Sequence, residues 1–279
     1  MGQVCMGEPV APMVVAVAAF VVAALCLRSL ALSGSSMKAD EVVDWRVWKL
    51  AVVAADAGIA KAGDHVYVIT SLKDSVHGPF SFITPNPIAL ALEVSIRAAK
   101  RATELRAALV VENAAAGSWL TPKSLQQLYL CFQECMIAAT FALQGLEAFA
   151  NLVIVQANVP TIDIERKKVV QKWTPDQVER GCSTEEKLGT IVPSLRKTAT
   201  IKGTALWERF RELKDLRDLS THLKSLNQYK RGSPDDSTLY YRLLSADLLD
   251  CPRTAIEIFE KYSSPGSLAW LDVPKQDLA

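Results

Sequence analysis

In the stretch "LKDLRDLSTHLKS" (213–225) His222 follows Arg217 by five positions, either a catalytic dyad or two polar residues at the end of a surface helix. A guanidinium binds a phosphate through two parallel N–H donors, and an imidazole exchanges protons near neutral pH. The other histidines, His65 and His77, stand alone in a short β-prone run and a loop, where a surface or hydrogen-bonded role is expected. Several other chemistries lack their residues, since there is no glycine-rich phosphate loop, no HExxH and no GxSxG. The six cysteines (5, 26, 131, 135, 182 and 251) have no dense spacing. Cys131 and Cys135 lie one helical turn apart in an apolar segment, a poor geometry for a disulfide, and no histidine or second pair completes a zinc site. The expectation is core thiols in a reducing compartment, with no metal and no cofactor.

Placed on a helix from Thr204 to Leu226, the motif splits. Leu206, Phe210 and Leu213 form a line whose next member, eleven residues after the first, is Arg217. An arginine there stands where the pattern asks for leucine, and a buried guanidinium needs a partner. Gln144, Glu147 and Asn151 form a polar stripe on an otherwise apolar segment, so Glu147 is predicted to hold Arg217, with Asn151 in support. His222 is turned about 140° from Arg217 on a straight helix. The two can share a pocket only if the helix ends or bends near Ser220-Thr221, or if a second copy faces the first across a twofold axis. Asp218, four residues before His222, is predicted to reach the imidazole and fix its tautomer. Trp207 and Phe210 have spacing that suits core packing better than base stacking.

The elements that must position these residues read as helices. Helical intervals run over 39–61, followed by the β-prone "HVYVIT" (65–70) and a loop to Pro87. Asn86-Pro87 starts a helix expected to reach Gly117, and Thr121-Pro122 starts the central buried helix to about Val155. A membrane span over 135–155 is the alternative, disfavoured by Gln144, Glu147 and Asn151 within it. A polar connection covers 156–182, and Ser183 with Glu186 caps a short helix that must accommodate Pro193. Thr204 caps the motif helix, and two further short helices follow, the second announced by Cys251-Pro252. The expected fold is all-α. Its parts are a hydrophobic leader (1–36), an N-terminal helical region (37–120), a helical domain carrying the motif (121–263) and a tail (264–279).

A formal net charge of +1 points to no partner globally, but residues 161–231 hold 16 Lys/Arg against 10 Asp/Glu, or +6. The motif therefore lies in the basic part of an otherwise acidic chain, either a solvated face or a surface for an anionic ligand. Residues 10–27 form 18 uncharged positions, the lower edge of what spans a bilayer. They are either a single anchor to the inner membrane or part of an over-extended gene start preceding Met37. Both readings leave the bulk of the protein cytoplasmic, because the cations after the run favour that side.

Arg217-Asp218-Leu219-Ser220-Thr221-His222 resembles the hallmark of the HEPN superfamily of helical bundle proteins, an Arg followed by a polar residue and a His four to six residues on. "LEAFAN" (Leu146–Asn151), "STEEKL" (Ser183–Leu188) and "GTALWERFRELKDLRD…HLKS" (Gly203–Ser225) look like segments of uncharacterised bacterial HEPN-like proteins. The likeness covers about residues 121–263. The resemblance implies a HEPN-like helical bundle, RNA or nucleotide as ligand, and a homodimer with motifs facing across its interface. It also implies metal-independent ribonuclease activity in many members, or a non-catalytic module binding nucleotide, RNA or protein in others. In a stress or defence setting, an antitoxin or another protein is the implied companion. Carried over, His222 transfers protons, Arg217 binds the scissile phosphate, Asp218 is a polar helper and Glu147 a supporting acid.

Overall fold

The computed structural model describes residues 44–47, 49–52, 65–67, 69–73, 76–109, 111–112, 119–222, 238–263 and 268–278. Expectations for residues 1–36, including the anchor at 10–27, lie outside them. The chain divides into two compact units, Met1–Thr84 and Pro85–Ala279. The second begins at Pro85 rather than at Thr121, so the first long helix belongs with the motif-bearing helices.

In the described part of the first unit Lys49–Val52 is a strand where a helix was expected, whereas the β-prone run at 65–70 is stranded as expected. Strands β1 (Lys49–Val52) and β2 (His65–Tyr67) pair antiparallel, as do β3 (Ile69–Leu72) and β4 (Phe80–Ile83). "RVWKLAVV" (46–53) is rich in Val and Trp, which suit a pleated surface. The alanines that follow it suggested a helix. In the second hairpin the Ser71 and Ser81 hydroxyls meet at 2.7 Å and those of Thr70 and Thr84 at 2.6 Å, cross-strand pairs that fix the register.

The second unit is mostly helical. Helix α1 (Pro87–Ala107) starts where expected, with the Asn86 side chain accepting from the Ile88 N–H at 3.0 Å. It stops ten residues short of Gly117, and β-prone Val111 and Glu112 form strand β5 (Val111–Glu112), paired with β6 (Trp119–Leu120). Helix α2 (Pro122–Gln156) is the central rod, capped by Thr121. Ala98, Ala99 and Ala102 of α1 and Ala138, Ala139 and Ala142 of α2 are buried, and such small side chains let the two backbones approach closely. The buried Ser95 hydroxyl donates to the Ala138 carbonyl at 2.8 Å. By length and composition α2 would cross a membrane, but 56% of its apolar window is buried inside this unit.

The connection expected at 156–182 is instead a hairpin and a helix. Strands β7 (Ile162–Arg166) and β8 (Val169–Trp173) pair in strict antiparallel register, with Ile162 and Ile164 buried. Lys167 and Lys168 form the two-residue turn with φ of 52° and 64°. Such a turn usually carries Asn-Gly, so Lys-Lys sends no turn signal. Helix α3 (Pro175–Gly181) follows, opened by a reciprocal capping box between Thr174 and Gln177.

Proline 193 shapes the next run. Helix α4 (Thr184–Glu186), a π-helical stretch (Lys187–Ile191) and α5 (Val192–Arg196) follow without a break. Pro193 has no N–H to donate to the turn before it, where side-chain hydroxyls serve the Leu188 and Gly189 carbonyls. The Tyr262 hydroxyl donates to Leu188 O at 2.9 Å, and the Thr200 hydroxyl to Gly189 O at 2.7 Å. Tyr262 also accepts from the Ile201 N–H at 3.0 Å. Replacing Tyr262 with Phe strands two buried groups, so chemical denaturation should record a loss of about 2–3 kcal/mol. A loss below about 0.5 kcal/mol would contradict this account. Gly189 is required by space: a Cβ there would lie 2.4 Å from Lys202 Cε and 2.9 Å from the buried Trp207 ring.

Helices α6 (Ala205–Thr221), α7 (Leu239–Ser245) and α8 (Asp250–Tyr262) pack around α2 and share one core with it. The Arg106 guanidinium donates to the Leu244 and Ala246 carbonyls, 2.8 Å each, and so satisfies the end of α7. The expected tail is in part helical, as α9 (Asp272–Leu278) follows a 3-10 turn (Ala269–Leu271), and Leu271 and Leu278 are buried. Cys131, Cys135, Cys182 and Cys251 are free and buried, as core thiols should be. Burial pushes the Cys251 thiol up to about 12 and raises that of Cys135 as well.

Candidate functional site

Helix α6 presents Arg217 differently from the heptad-like line drawn on its sequence. Its buried residues are Trp207, Phe210, Leu213, Leu216 and Ser220, whereas Leu206 is only half-buried. The large Trp207 takes the core position, with its ring 5.2 Å from that of Phe210, and the stripe turns so that Leu216 faces inward. Arg217 flanks that stripe, its side chain 28% exposed. Its guanidinium lies 3.3 Å from the carboxylate of its neighbour, Asp218.

Three expectations change accordingly. Among the described residues, no ion pair or hydrogen bond joins Arg217 to Glu147 or Asn151. Glu147 instead faces Lys187 at 3.7 Å, and the side-chain Oδ1 of Asn151 is buried without a hydrogen-bond partner. The Asp218 carboxylate turns away from His222, toward Lys214 at 3.1 Å and Arg217. What Asp218 offers His222 is its backbone carbonyl, which accepts the His222 N–H at 2.9 Å.

One geometric condition is met. Helix α6 ends at Thr221, and His222 is the exposed capping residue, with φ −115° and ψ 61°. The Ser220 hydroxyl donates to Leu216 O at 2.8 Å and the Thr221 hydroxyl to Arg217 O at 3.0 Å. Such back-bonds compete with the helical ladder and accompany its end. The His222 N–H still closes the last helical hydrogen bond, so its Cα stays about 140° around the axis from Arg217, and its ψ redirects only the chain that follows.

A chain of ion pairs runs from this helix end. Lys214 lies 3.9 Å from Glu185, at the start of α4, and the adjacent Glu186 accepts from both terminal nitrogens of Arg166 on β7, one at 2.8 Å. The Arg166 guanidinium also lies over the Trp173 ring, 5.2 Å from its centroid. Glu186 favours the charged guanidinium.

Lys187 is the charged residue that sequence reasoning missed. Its side chain is 0% exposed on the π-helical stretch, and its ammonium donates to the Glu179 carbonyl at 2.7 Å. The signal was present, since Lys187 lies four residues before buried Ile191, on the apolar side of its helix. Glu147 is half in water, so this pair contributes little. Lys187→Met is expected to leave stability unchanged or raise it by about 1–2 kcal/mol in denaturant titration, whereas Glu147→Gln costs about 1 kcal/mol. A loss of several kcal/mol for Lys187→Met would contradict this. Among the described residues no cluster of His, Cys, Asp or Glu could hold a metal.

The second unit is thus mostly helical and built on one long central helix, with Arg217 half-buried in the last turns of a later helix and His222 exposed at its cap. No protein-family model, curated protein or solved structure matches the chain.

Proposed function

We propose that the Pro85–Ala279 unit is a HEPN-like RNA-binding module, and that Arg217 and His222 give it metal-independent endoribonuclease activity in a site completed by a second copy. The observation that supports this reading is the end of α6 at Thr221, which leaves His222 exposed at the cap, five residues after the half-buried Arg217. Arg217 binds the scissile phosphate and stabilises its transition-state charge. One His222 takes the proton of the ribose 2′-OH as that oxygen attacks phosphorus. The other protonates the 5′-oxygen as its bond to phosphorus breaks. The products are a 2′,3′-cyclic phosphate and a 5′-hydroxyl, with no water or redox partner consumed.

A second reading, a non-catalytic module for RNA, nucleotide or protein, is favoured by the Asp218 carboxylate. It engages both Lys214 and Arg217, and among the described residues no acid pairs with the His222 ring. Incubating the purified protein with end-labelled RNA in a metal chelator separates the two. Cleavage supports the nuclease, binding without cleavage supports the module, and failure to bind RNA contradicts the RNA reading in both.

A further inference from the structure

We propose that the β7–β8 hairpin is a second, non-catalytic contact for the RNA strand, holding its phosphodiester backbone through Lys167, Lys168 and Lys172. This inference rests on the RNA reading of the Arg217–His222 site.

The hairpin is anchored on its inner face, and its two turn lysines are unpaired among the described residues. Ile162 and Ile164 join the small core formed with Ile154, Val178, Cys182 and Ile191. Arg166 is held by Glu186 and stacked on Trp173. Directly after Arg166 the turn places Lys167 and Lys168, both exposed, at positive φ. A side chain in that region costs about 1–2 kcal/mol per residue, which Asn-Gly would largely avoid. The strained positions hold cations instead.

Val169, Val170, Gln171 and Lys172 of β8 are all exposed, and β8 carries no acid. Asp163 stands opposite Lys172 in the ladder and Glu165 opposite Val170. Even so, among the described residues Lys167, Lys168 and Lys172 take part in no ion pair or side-chain hydrogen bond.

The same short helix α4 ties this arm to the motif. Its Glu186 binds Arg166, the last β7 residue before the turn, and its Glu185 meets Lys214, which shares Asp218 with Arg217. Both glutamates are engaged by cations, so the outer lysines remain for a polyanion. A strand bound at Arg217 can continue past Lys214 toward the hairpin tip.

The test is a titration of the full chain with labelled polyuridylate over a range of salt concentrations. Each phosphate contact contributes about 0.7 to the slope of log affinity against log salt for a single strand. The triple variant K167Q/K168Q/K172Q should therefore lose about 2 from that slope and bind about a hundredfold more weakly at about 0.1 M salt, the difference fading toward 1 M. The triple K167R/K168R/K172R should restore both values. Should the glutamine triple unfold, Lys172→Gln alone should lose about 0.7. Oligothymidylate in a parallel titration tells whether the arm reads phosphates common to RNA and DNA, and hairpin dependence on either strand supports the proposal.

An unchanged slope with intact wild-type binding overturns the hairpin contact and leaves the Arg217–His222 reading standing. Equal losses in the glutamine and arginine triples also overturn it. So does aggregation of the glutamine triple without loss of affinity, which would make the lysines guards of an open strand edge. A wild-type chain that binds neither strand overturns both readings.

Discussion

Replacing His222 with alanine is expected to lower the rate of RNA cleavage by about 10²–10⁴-fold while leaving RNA affinity little changed, as measured by initial rates and by titration of uncleaved RNA. The split follows from where the residue stands. His222 caps α6 and is exposed, so its ring supports no core packing and its removal costs no buried contact. Its only hydrogen bond among the described residues is backbone to backbone, and alanine keeps it. Loss of affinity without loss of rate would make His222 a binding residue only. Arg217→Ala, in contrast, should weaken both rate and affinity. Lysine should restore little of the rate, because its point charge does not reproduce the paired donors of a guanidinium.

Phe259→Ala is expected to destabilise the Pro85–Ala279 unit by about 3–5 kcal/mol, read from urea or guanidinium midpoints. Phe259 is fully buried on α8, its ring centred 5.0 Å from Phe149 of α2 and 6.3 Å from Trp270 of the 3-10 turn. It also reaches the backbone of α2 at Gly145, where an added Cβ would sit 3.7 Å from its ring. Truncation leaves a cavity that three elements must close at once, and a helical rod such as α2 collapses poorly into it. A loss of about 1 kcal/mol or less would mean that these elements do not pack as described.

How much was legible depended on the signal each element carries. Helices α2, α6 and α8 announce themselves by caps and periodicity, and Thr121, Thr204 and the Cys251-Pro252 start mark their beginnings in the structure. The β7–β8 hairpin was hidden because Lys167-Lys168 adopts a turn that sequence associates with Asn-Gly, although the Ile162 and Ile164 alternation was present. The first-unit strand β1 was obscured by alanine-rich residues beside a valine-rich run. For the site, the residue types were readable, but the helix drawn to Leu226 ends at Thr221 and the partners were not legible. A wheel drawn from Leu206 gave Arg217 the core slot that Leu216 occupies, because it could not weigh Trp207 against Leu206. Glu147 was assigned to Arg217 because Lys187 did not stand out as buried.

The central claim, that Arg217 and His222 cleave RNA without a metal, is tested most directly by the chemistry of the cut ends. End-labelled RNA incubated with the full chain in excess chelator should yield fragments bearing a 2′,3′-cyclic phosphate and a 5′-hydroxyl, and His222→Ala should yield none above background. Intact RNA, 5′-phosphate ends, or the same fragments from the His222→Ala chain would contradict the account.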